Sequence, residues 1–244
     1  MKKAQELSNL LSAGNISCVV QPLFDYQAFA DYETSKNLLT NENIIIFVSA
    51  SSVEYANKIF DSKLWKYRHI LAVGKATGLA LEGIGIQNVI QPEQENSEGL
   101  LKLTVLKKKF NGDNITIVRG DSGREHLATQ LTKQGATVKY LESYQRVWRT
   151  FSEDIGNQWF NQQINCIVIT SNDILEKIMS LLLTQNYKQN NTPFTKHWRD
   201  QCLWVVVSQR IANTAKHFGL TRVIISNGAS KSAITTTIQQ LENK

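Results

Sequence analysis

Short runs of apolar, largely β-branched residues alternate along the chain with longer amphipathic stretches. Several runs, such as 44–48 and 203–207, are apolar throughout, which is typical of strands that helices cover on both faces. A stretch with helical spacing follows most runs, and this alternation predicts βα units and a parallel sheet. The predicted strands cover residues 18–21, 44–48, 70–73, 88–90, 115–118, 137–141, 166–170, 203–207 and 223–226.

Pieces of the first half of the chain resemble pieces of the second half, 121 to 133 residues later. The segment 43–60 resembles 165–182, which lies 122 residues later, and each is a strand that ends in Ser or Thr before a helix. A helix–Gly–strand piece recurs with Gly14 matched to Gly135, 121 residues apart. Self-similarity of this kind predicts repeated structure. We therefore expect an α/β fold with two similar parallel-sheet α/β domains.

Composition excludes several classes of protein. The 244 residues fit two modest domains, and 42% hydrophobic with 20% charged residues are globular values. Disorder, collagen and coiled coil are thereby excluded. No apolar run approaches the roughly 18 residues of a membrane span, and the N-terminus lacks the apolar core of a secretory signal. We expect a cytoplasmic protein with no membrane association.

Cysteine and histidine positions give no sign of a metal site or of a disulfide framework. Cys18, Cys166 and Cys202 are an odd number without CxxC spacing, and the four histidines are scattered. Each cysteine lies in or beside an apolar run, as buried small hydrophobes do. We expect no bound metal and a reducing compartment.

The net charge of +6 suits either nucleic acid or a polyanionic small molecule. The only dense basic run, 107–109, follows a helical pattern, where it complements the dipole of a helix C-terminus. No basic stripe is interleaved with aromatic residues. Nucleic acid is therefore the weaker interpretation, and we expect no nucleic-acid partner.

Turns rich in small and hydroxyl residues follow several of the predicted strands. Such residues cap helices and leave backbone N–H groups facing outward, where they bind carboxylate or phosphate. Ligands of open parallel sheets lie beyond the carboxyl ends of strands. Plain capping explains any one turn, but five in two domains predict a cleft for a polyanion. The turns are 49–52, 74–77, 119–124, 170–172 and 208–210.

Common catalytic motifs are absent. The GIG at 83–85 follows a helix rather than a strand, and RGDSGR at 119–124 lacks the Lys-Ser/Thr ending of a Walker A motif. Neither GxSxG nor HExxH occurs. A hydrolase or a metalloenzyme is poorly supported.

The ordered motifs resemble the uroporphyrinogen-III synthase family over nearly the whole chain. Each piece is weak alone, but their order and spacing together are specific. The resemblance implies two domains, 29–147 and a discontinuous 1–28 plus 148–244, joined by a two-segment hinge near 26–32 and 146–150. The matching pieces are QPLFDYQ (21–27), IIIFVSASSV (44–53), LAVGKATGLAL (71–81), SEGLL (97–101), IVRGDSGREHLATQLTKQGATV (117–138), YQR (144–146), VITSNDIL (168–175) and VVVSQRIANTAKHFGL (205–220).

The resemblance also implies a reaction. Hydroxymethylbilane, a linear tetrapyrrole with eight carboxylates, would be cyclised to uroporphyrinogen III with inversion of ring D and loss of water. Loss of the hydroxyl gives an azafulvene, which closes through a spiro intermediate. No cofactor is implied, because the protein mainly holds one geometry and prevents direct closure to the symmetric isomer. We expect a monomer, with a transient contact to hydroxymethylbilane synthase. The alternative is a non-catalytic two-lobed protein that binds a polyanion or tetrapyrrole on the same scaffold.

Residue roles follow by motif. Tyr144 resembles a cleft-facing tyrosine that assists departure of the hydroxyl as a hydrogen-bond donor, and a hinge-packing tyrosine is the alternative. The hydroxyl residues expected to contact substrate carboxylates, directly or through neighbouring N–H groups, are Ser49, Thr77, Ser97, Ser171 and Ser208. The residues expected to add positive charge are Lys75, Arg119, Arg124 and Arg210. For Arg124 and Arg210 a surface role fits equally well.

The N-terminus departs from the family pattern. Members usually begin with a strand ending in Thr-Arg-Pro, whereas this chain begins inside the helix that follows it. The repeat order agrees, since the counterpart of strand 115–118 would lie before Met1. Either the discontinuous domain lacks its first strand, or the native chain begins further upstream than this sequence. In the first case we expect one cleft turn and one arginine to be missing and a strand edge to be exposed.

Overall fold

The computed structural model describes residues 2–41, 44–123, 125–182 and 192–242. The chain divides into two compact units: unit 1 comprises Met1–Leu23 and Trp148–Lys244, and unit 2 comprises Phe24–Val147. The chain therefore crosses between units twice. The expected boundary after residue 28 lies five residues beyond the first crossing, because residues 24–28 form a strand of the unit 2 sheet.

Strands and helices alternate along most of the described chain. The strands are β1 (Phe24–Ala28), β2 (Ile44–Phe47), β3 (His69–Ala72), β4 (Asn114–Gly120), β5 (Thr137–Trp148), β6 (Cys166–Ile169), β7 (Leu203–Val206) and β8 (Val223–Ile225). The α-helices are α1 (Lys2–Ala13), α2 (Tyr32–Thr40), α3 (Ala50–Ile59), α4 (Lys75–Gly83), α5 (Ser97–Lys102), α6 (His126–Lys133), α7 (Ile155–Asn161), α8 (Asn172–Leu182), α9 (Pro193–Lys196), α10 (Gln209–His217) and α11 (Lys231–Glu242). A 3₁₀ turn covers Ser62–Leu64, and a π-helical turn covers His197–Gln201.

Unit 2 is built on a five-stranded sheet of order β1-β5-β4-β2-β3. β2 pairs in parallel with both β3 and β4, and β4 pairs in parallel with β5. The four residues of β2 are buried, and their side chains alternate between two cores, as the period of a strand requires. Ile45 and Phe47 pack with residues of α2, α3 and α4, and Ile44 and Ile46 pack with residues of α5 and α6.

Unit 1 is built on a three-stranded parallel sheet of order β6-β7-β8 in the described part of the chain. On one face, α1 and α11 pack together through Leu11, Ile234 and Ile238, and Val205 of β7 joins this cluster. α10 contacts β7, β8 and α8. The order β6–α8 and β7–α10 repeats that of β2–α3 and β3–α4, as the internal resemblance predicts.

Seven of the nine predicted strands are confirmed, and two predictions are wrong. Residues 18–21 are not assigned to a strand, and the side chain of Cys18 packs against the cluster around Leu11 instead. In segment 88–90 only Ile90 forms a bridge, to Leu71, because Asn88 has a φ of 57° and breaks the extended conformation. The strand β1 is missing from the prediction since most of its residues are exposed and polar.

Among the described residues, no helix is long and apolar enough to cross a bilayer.

Two glycines have a positive φ, but only one of them lies against another backbone segment. Comparing them separates the cost of backbone conformation from the cost of a steric clash. Gly135 has a φ of 94° and a Cβ there would lie 2.5 Å from the carbonyl oxygen of Phe110, whereas Gly85 has a φ of 88° and open space around it. We expect Gly85→Ala to cost about 1 kcal/mol from backbone conformation alone. Gly135→Ala adds a steric clash and should cost about 3 kcal/mol. Urea unfolding followed by tryptophan fluorescence measures the free energy of unfolding of both variants. An equal loss of stability in the two would contradict a steric clash at position 135.

Candidate functional site

Ser49 lies where β2 ends and α3 begins. Its extended backbone and side chain form a capping box, in which Ser49 Oγ accepts from the Ser52 N–H at 3.0 Å and the Ser52 side chain is bound to the Ser49 backbone. This pairing satisfies N–H groups that a helix start otherwise leaves open. The remaining first-turn N–H groups of α3 lie at the carboxyl edge of the unit 2 sheet.

Tyr144 lies on β5 close to this turn. Its hydroxyl is 3.3 Å from Ser49 Oγ. The structure therefore brings together two residues that the sequence analysis named separately. The ring also covers Gly120 at the end of β4, where a Cβ would lie 2.9 Å from two ring carbons. A larger residue at position 120 would displace the Tyr144 ring.

Two further tyrosines surround the ring of Tyr144. The Tyr26 ring meets it edge-on at a centroid distance of 4.8 Å, and the Tyr55 ring lies 5.6 Å away in a tilted arrangement. Burial is the main cause that raises the pKa of the Tyr144 phenol, and the hydrogen bond with Ser49 acts in the opposite direction. The phenol thus stays protonated at neutral pH and is available as a hydrogen-bond donor.

The start of α4 is occupied by a carboxylate of the protein itself. The Lys75 N–H donates to Oε1 of Glu95 at 3.2 Å, and the cap residue Gly74 provides no side chain. A carboxylate at this place is favoured by the free N–H groups and by the helix dipole. Thr77, in the same turn, is only 3% exposed and so does not offer its hydroxyl at the surface.

Ser97 opens α5 at the same edge. The cap of this helix is Asn96, whose side chain accepts from the Gly99 N–H at 2.8 Å. Ser97 is half-buried and lies one residue into the helix.

Arg119, near the end of β4, has an environment of carboxylates. Its guanidinium donates to Glu125 at 2.7 Å and to Glu142 at 3.0 Å, and it stacks on the ring of Tyr140 at 3.6 Å. The side chain is 12% exposed. Burial favours the neutral guanidine, but the hydrogen bonds to the two carboxylates outweigh it, and the pKa of Arg119 is raised. This arginine therefore has intramolecular anions as partners.

Tyr140 completes this group. Its hydroxyl donates to the second oxygen of Glu125 at 2.6 Å. The pKa of the phenol is raised to about 12, first by burial and then by this hydrogen bond. In turn, the bonds from Tyr140 and Arg119 lower the pKa of Glu125. The group fixes Glu125, the residue that precedes α6.

The predicted residues of unit 1 also lie at helix starts. Ser208 caps α10 and accepts from the Ile211 N–H at 3.4 Å, and Ser171 accepts from the Ile174 N–H at 3.3 Å at the start of α8. Arg210 is exposed in the first turn of α10. Arg124 lies outside the described residues.

Several residues around Tyr144, around Arg119 and at the start of α4 were not predicted from the sequence. Tyr26 stands in the motif QPLFDYQ and could have been noticed, whereas Tyr55, Glu95 and Glu142 carry no local signal. Across the described ranges, no three His, Cys, Asp or Glu side chains are grouped so that they could hold a metal ion. One open pocket of about 550 Å³ lies at the amino end of β3, lined by residues such as Arg68 and His69, away from the strand ends described above.

The fold and the strand-end turns define a class of α/β protein in which two units, each built on a mostly parallel sheet, are linked by two chain crossings. The edge strand β1 runs antiparallel to β5, as the hydrogen bonds from Arg149 N–H to the Leu23 carbonyl and from Phe29 N–H to the Ser143 carbonyl show. The family model described as uroporphyrinogen-III synthase HemD matches residues 5–236. The chain belongs to the uroporphyrinogen-III synthase family.

Individual relatives agree with this assignment. The uroporphyrinogen-III synthase of Salmonella typhimurium is 28% identical over 89% of this chain and 88% of its own length. That of Escherichia coli is 29% identical over 82% of this chain and 80% of its own. Two solved structures share the fold at a TM-score of 0.59. A uroporphyrinogen III synthase variant from Thermus thermophilus matches 100% of this chain and 97% of its own at 11% identity. The uroporphyrinogen-III synthetase of Helicobacter pylori matches 92% and 95% at 12% identity.

The hydrogen bond between Tyr140 and Glu125 predicts a pH-dependent stability. A phenol whose pKa is raised by folding stabilises the folded state below its ordinary pKa of about 10. That contribution is lost as the pH rises toward the folded value of about 12. We expect Tyr140→Phe to be less stable than the parent chain at pH 8, with the difference shrinking progressively above pH 10. Urea unfolding of both proteins across this range is the measurement. A difference that does not change with pH would contradict the prediction.

Proposed function

We propose that this chain is a cofactor-independent lyase that cyclises hydroxymethylbilane to uroporphyrinogen III, with inversion of ring D and loss of water, in haem biosynthesis. The observation that carries the proposal is the family match over residues 5–236. Relatives named for this activity align over most of their own length, which favours the enzyme over a protein that only binds a tetrapyrrole.

Tyr144 is the residue that we assign to departure of the hydroxyl. Its protonated phenol at the carboxyl edge of the unit 2 sheet can donate a hydrogen bond to a leaving oxygen, and Ser49 Oγ at 3.3 Å can orient it. The chemistry requires no group with a strongly shifted acidity, because the developing azafulvene is stabilised by the pyrrole itself. The protein then has to hold the chain in the geometry of the spiro closure.

The carboxylates of the substrate are assigned to the capped helix starts of both units. Ser49 and Ser97 in unit 2, and Ser171 and Ser208 in unit 1, lie beside first-turn N–H groups that attract anions. Lys75 and Arg210 lie in the first turns of α4 and α10 and add positive charge. Thr77 and Arg119 would contribute through the backbone of their turns, since one side chain is buried and the other is bound to two glutamates.

The cellular setting is part of the proposal. We infer a cytoplasmic monomer that receives its unstable substrate through transient contact with hydroxymethylbilane synthase. Three free cysteines suit a reducing compartment. Among the described residues, the large exposed apolar side chains belong to both units, and the densest group is the small one of Tyr26, Phe29 and Tyr32.

A coupled assay tests the proposed activity. Purified chain is mixed with freshly made hydroxymethylbilane, and the oxidised products are separated into isomers I and III. Mostly isomer III is the expected result. Isomer I alone, formed at the spontaneous rate, would contradict the proposal, and tight substrate binding without turnover would then favour the binding protein.

Tyr144→Phe is the first variant to compare with the parent chain. It keeps the ring packing on Tyr26 and Gly120 and removes only the hydroxyl. We expect kcat to fall about tenfold, as for loss of one hydrogen bond that forms in the transition state, with a larger share of isomer I. Tyr67→Phe, a change of the same type at the amino end of the unit 2 sheet, should leave the product ratio unchanged. An unchanged kcat for Tyr144→Phe would remove the tyrosine from the mechanism.

Glu95→Gln tests whether the start of α4 receives a substrate carboxylate. The substitution removes the charge that competes for the Lys75 N–H, so we expect KM to fall about threefold, the effect typical of one charge at a helix terminus. Glu93→Gln makes the same change in net charge two residues away and should alter KM much less. An equal fall of KM in both variants would show that the net charge of the protein is responsible, and would contradict a carboxylate site at the start of α4.

A further inference from the structure

Tyr55 lies near Tyr144 but belongs neither to the strand-end turns nor to the family motifs. It lies on α3, six residues after the capping Ser49, so the cap and the body of one helix supply two of the side chains that contact Tyr144. Ser49 Oγ lies 3.3 Å from the phenolic oxygen, and the ring of Tyr55 packs 5.6 Å from the phenol ring.

The hydroxyl of Tyr55 also reaches the edge strand. It donates to the backbone carbonyl of Tyr26 at 2.7 Å, across 29 residues of sequence. The ring of Tyr26 in turn meets Tyr144 edge-on at 4.8 Å. Because the bond is made to the main chain, it restrains the part of β1 that carries this ring. Tyr55 therefore constrains Tyr144 both directly and through Tyr26.

Tyr55 itself is held by its own helix. The ammonium of Lys58 lies 4.7 Å above its ring, and Lys58 is bound to Glu54 at 2.7 Å. The contacts on the ring restrict the rotamers that Tyr55 can adopt. The side chain is half-buried, and its orientation is restrained by Lys58 and Tyr144 at the ring and by the hydrogen bond of its hydroxyl.

We propose that Tyr55 is a positioning residue that acts through Tyr144, fixing the direction of the phenolic hydroxyl in the cyclisation. This inference rests on the proposed function. Small displacements of a donor in an oriented reaction have large effects on rate. The substrate also closes spontaneously to isomer I. If the Tyr144 hydroxyl loses its orientation, we therefore expect a larger share of isomer I as well as a lower rate.

A double-mutant cycle tests the proposal. Tyr55→Phe keeps the ring and removes only the hydroxyl bond to Tyr26. In the parent chain we expect kcat per folded molecule to fall about fivefold, with KM within about twofold and more isomer I. In the Tyr144→Phe background the same change should alter kcat less than about twofold, since a residue that acts through another has no effect once that partner's group is gone. Tyr67→Phe, at the amino end of the unit 2 sheet, is the matched control and should resemble the parent chain.

The outcomes are distinguishable. An equal fall of kcat in both backgrounds, or no fall in either, would overturn the positioning role. A lowered melting temperature with normal kcat per folded molecule would show that the hydroxyl only stabilises the fold, and would also overturn it. Absence of isomer III with the unsubstituted chain would instead reject the proposed function on which the inference rests.

Discussion

Burial of β2 on both faces is the constraint on which the unit 2 site depends. Ile44–Phe47 have no exposed face, so the strand must lie inside the sheet with helices above and below, and it lies between β3 and β4. Its carboxyl end then emerges at one edge of the sheet, and the chain must turn at Ser49 to start α3. The register of β4 with β5 brings Gly120 beside Tyr144 at that edge. The site is therefore a consequence of strand packing, since the same four apolar residues determine the position of the turn and of the helix that follows.

The charges near the strand ends show how the protein keeps such an edge stable without a ligand. The free N–H groups of a helix start attract anions, and a buried cation is costly when it lacks a partner. Here Glu95 lies at the start of α4, and Glu125 and Glu142 neutralise Arg119. If the proposed contacts hold, a polyanionic substrate would exchange with carboxylates of the protein at these positions rather than fill open sites. Such exchange reduces affinity for single anions and favours a ligand that presents many carboxylates at once.

The sequence was sufficient to predict the strands whose apolar pattern is continuous, because such runs have few other ways to be buried. The prediction failed where strand formation depends on pairing with a neighbour rather than on burial. It missed the polar edge strand β1, and it placed a strand at residues 18–21, which are not assigned to one. In the site, Ser49 and Tyr144 were found separately by motif, and their proximity of 3.3 Å required the fold. The partners of Arg119 could not be inferred, since Glu125 and Glu142 are brought to it by sheet register and by the start of α6.

A tyrosine is a suitable donor for a reaction whose substrate carries many negative charges. A carboxylic acid near such a substrate would have to stay protonated in order to donate, and when ionised it would repel the ligand. A phenol avoids both difficulties, because it is neutral at physiological pH and burial raises its pKa further. The phenol remains a weak acid, however, so its contribution to the reaction would come from the direction of its hydrogen bond rather than from its acidity. In the proposed mechanism the rings and the serine around Tyr144 therefore matter as much as the hydroxyl, since a weak donor assists departure of a leaving group only when it points at it.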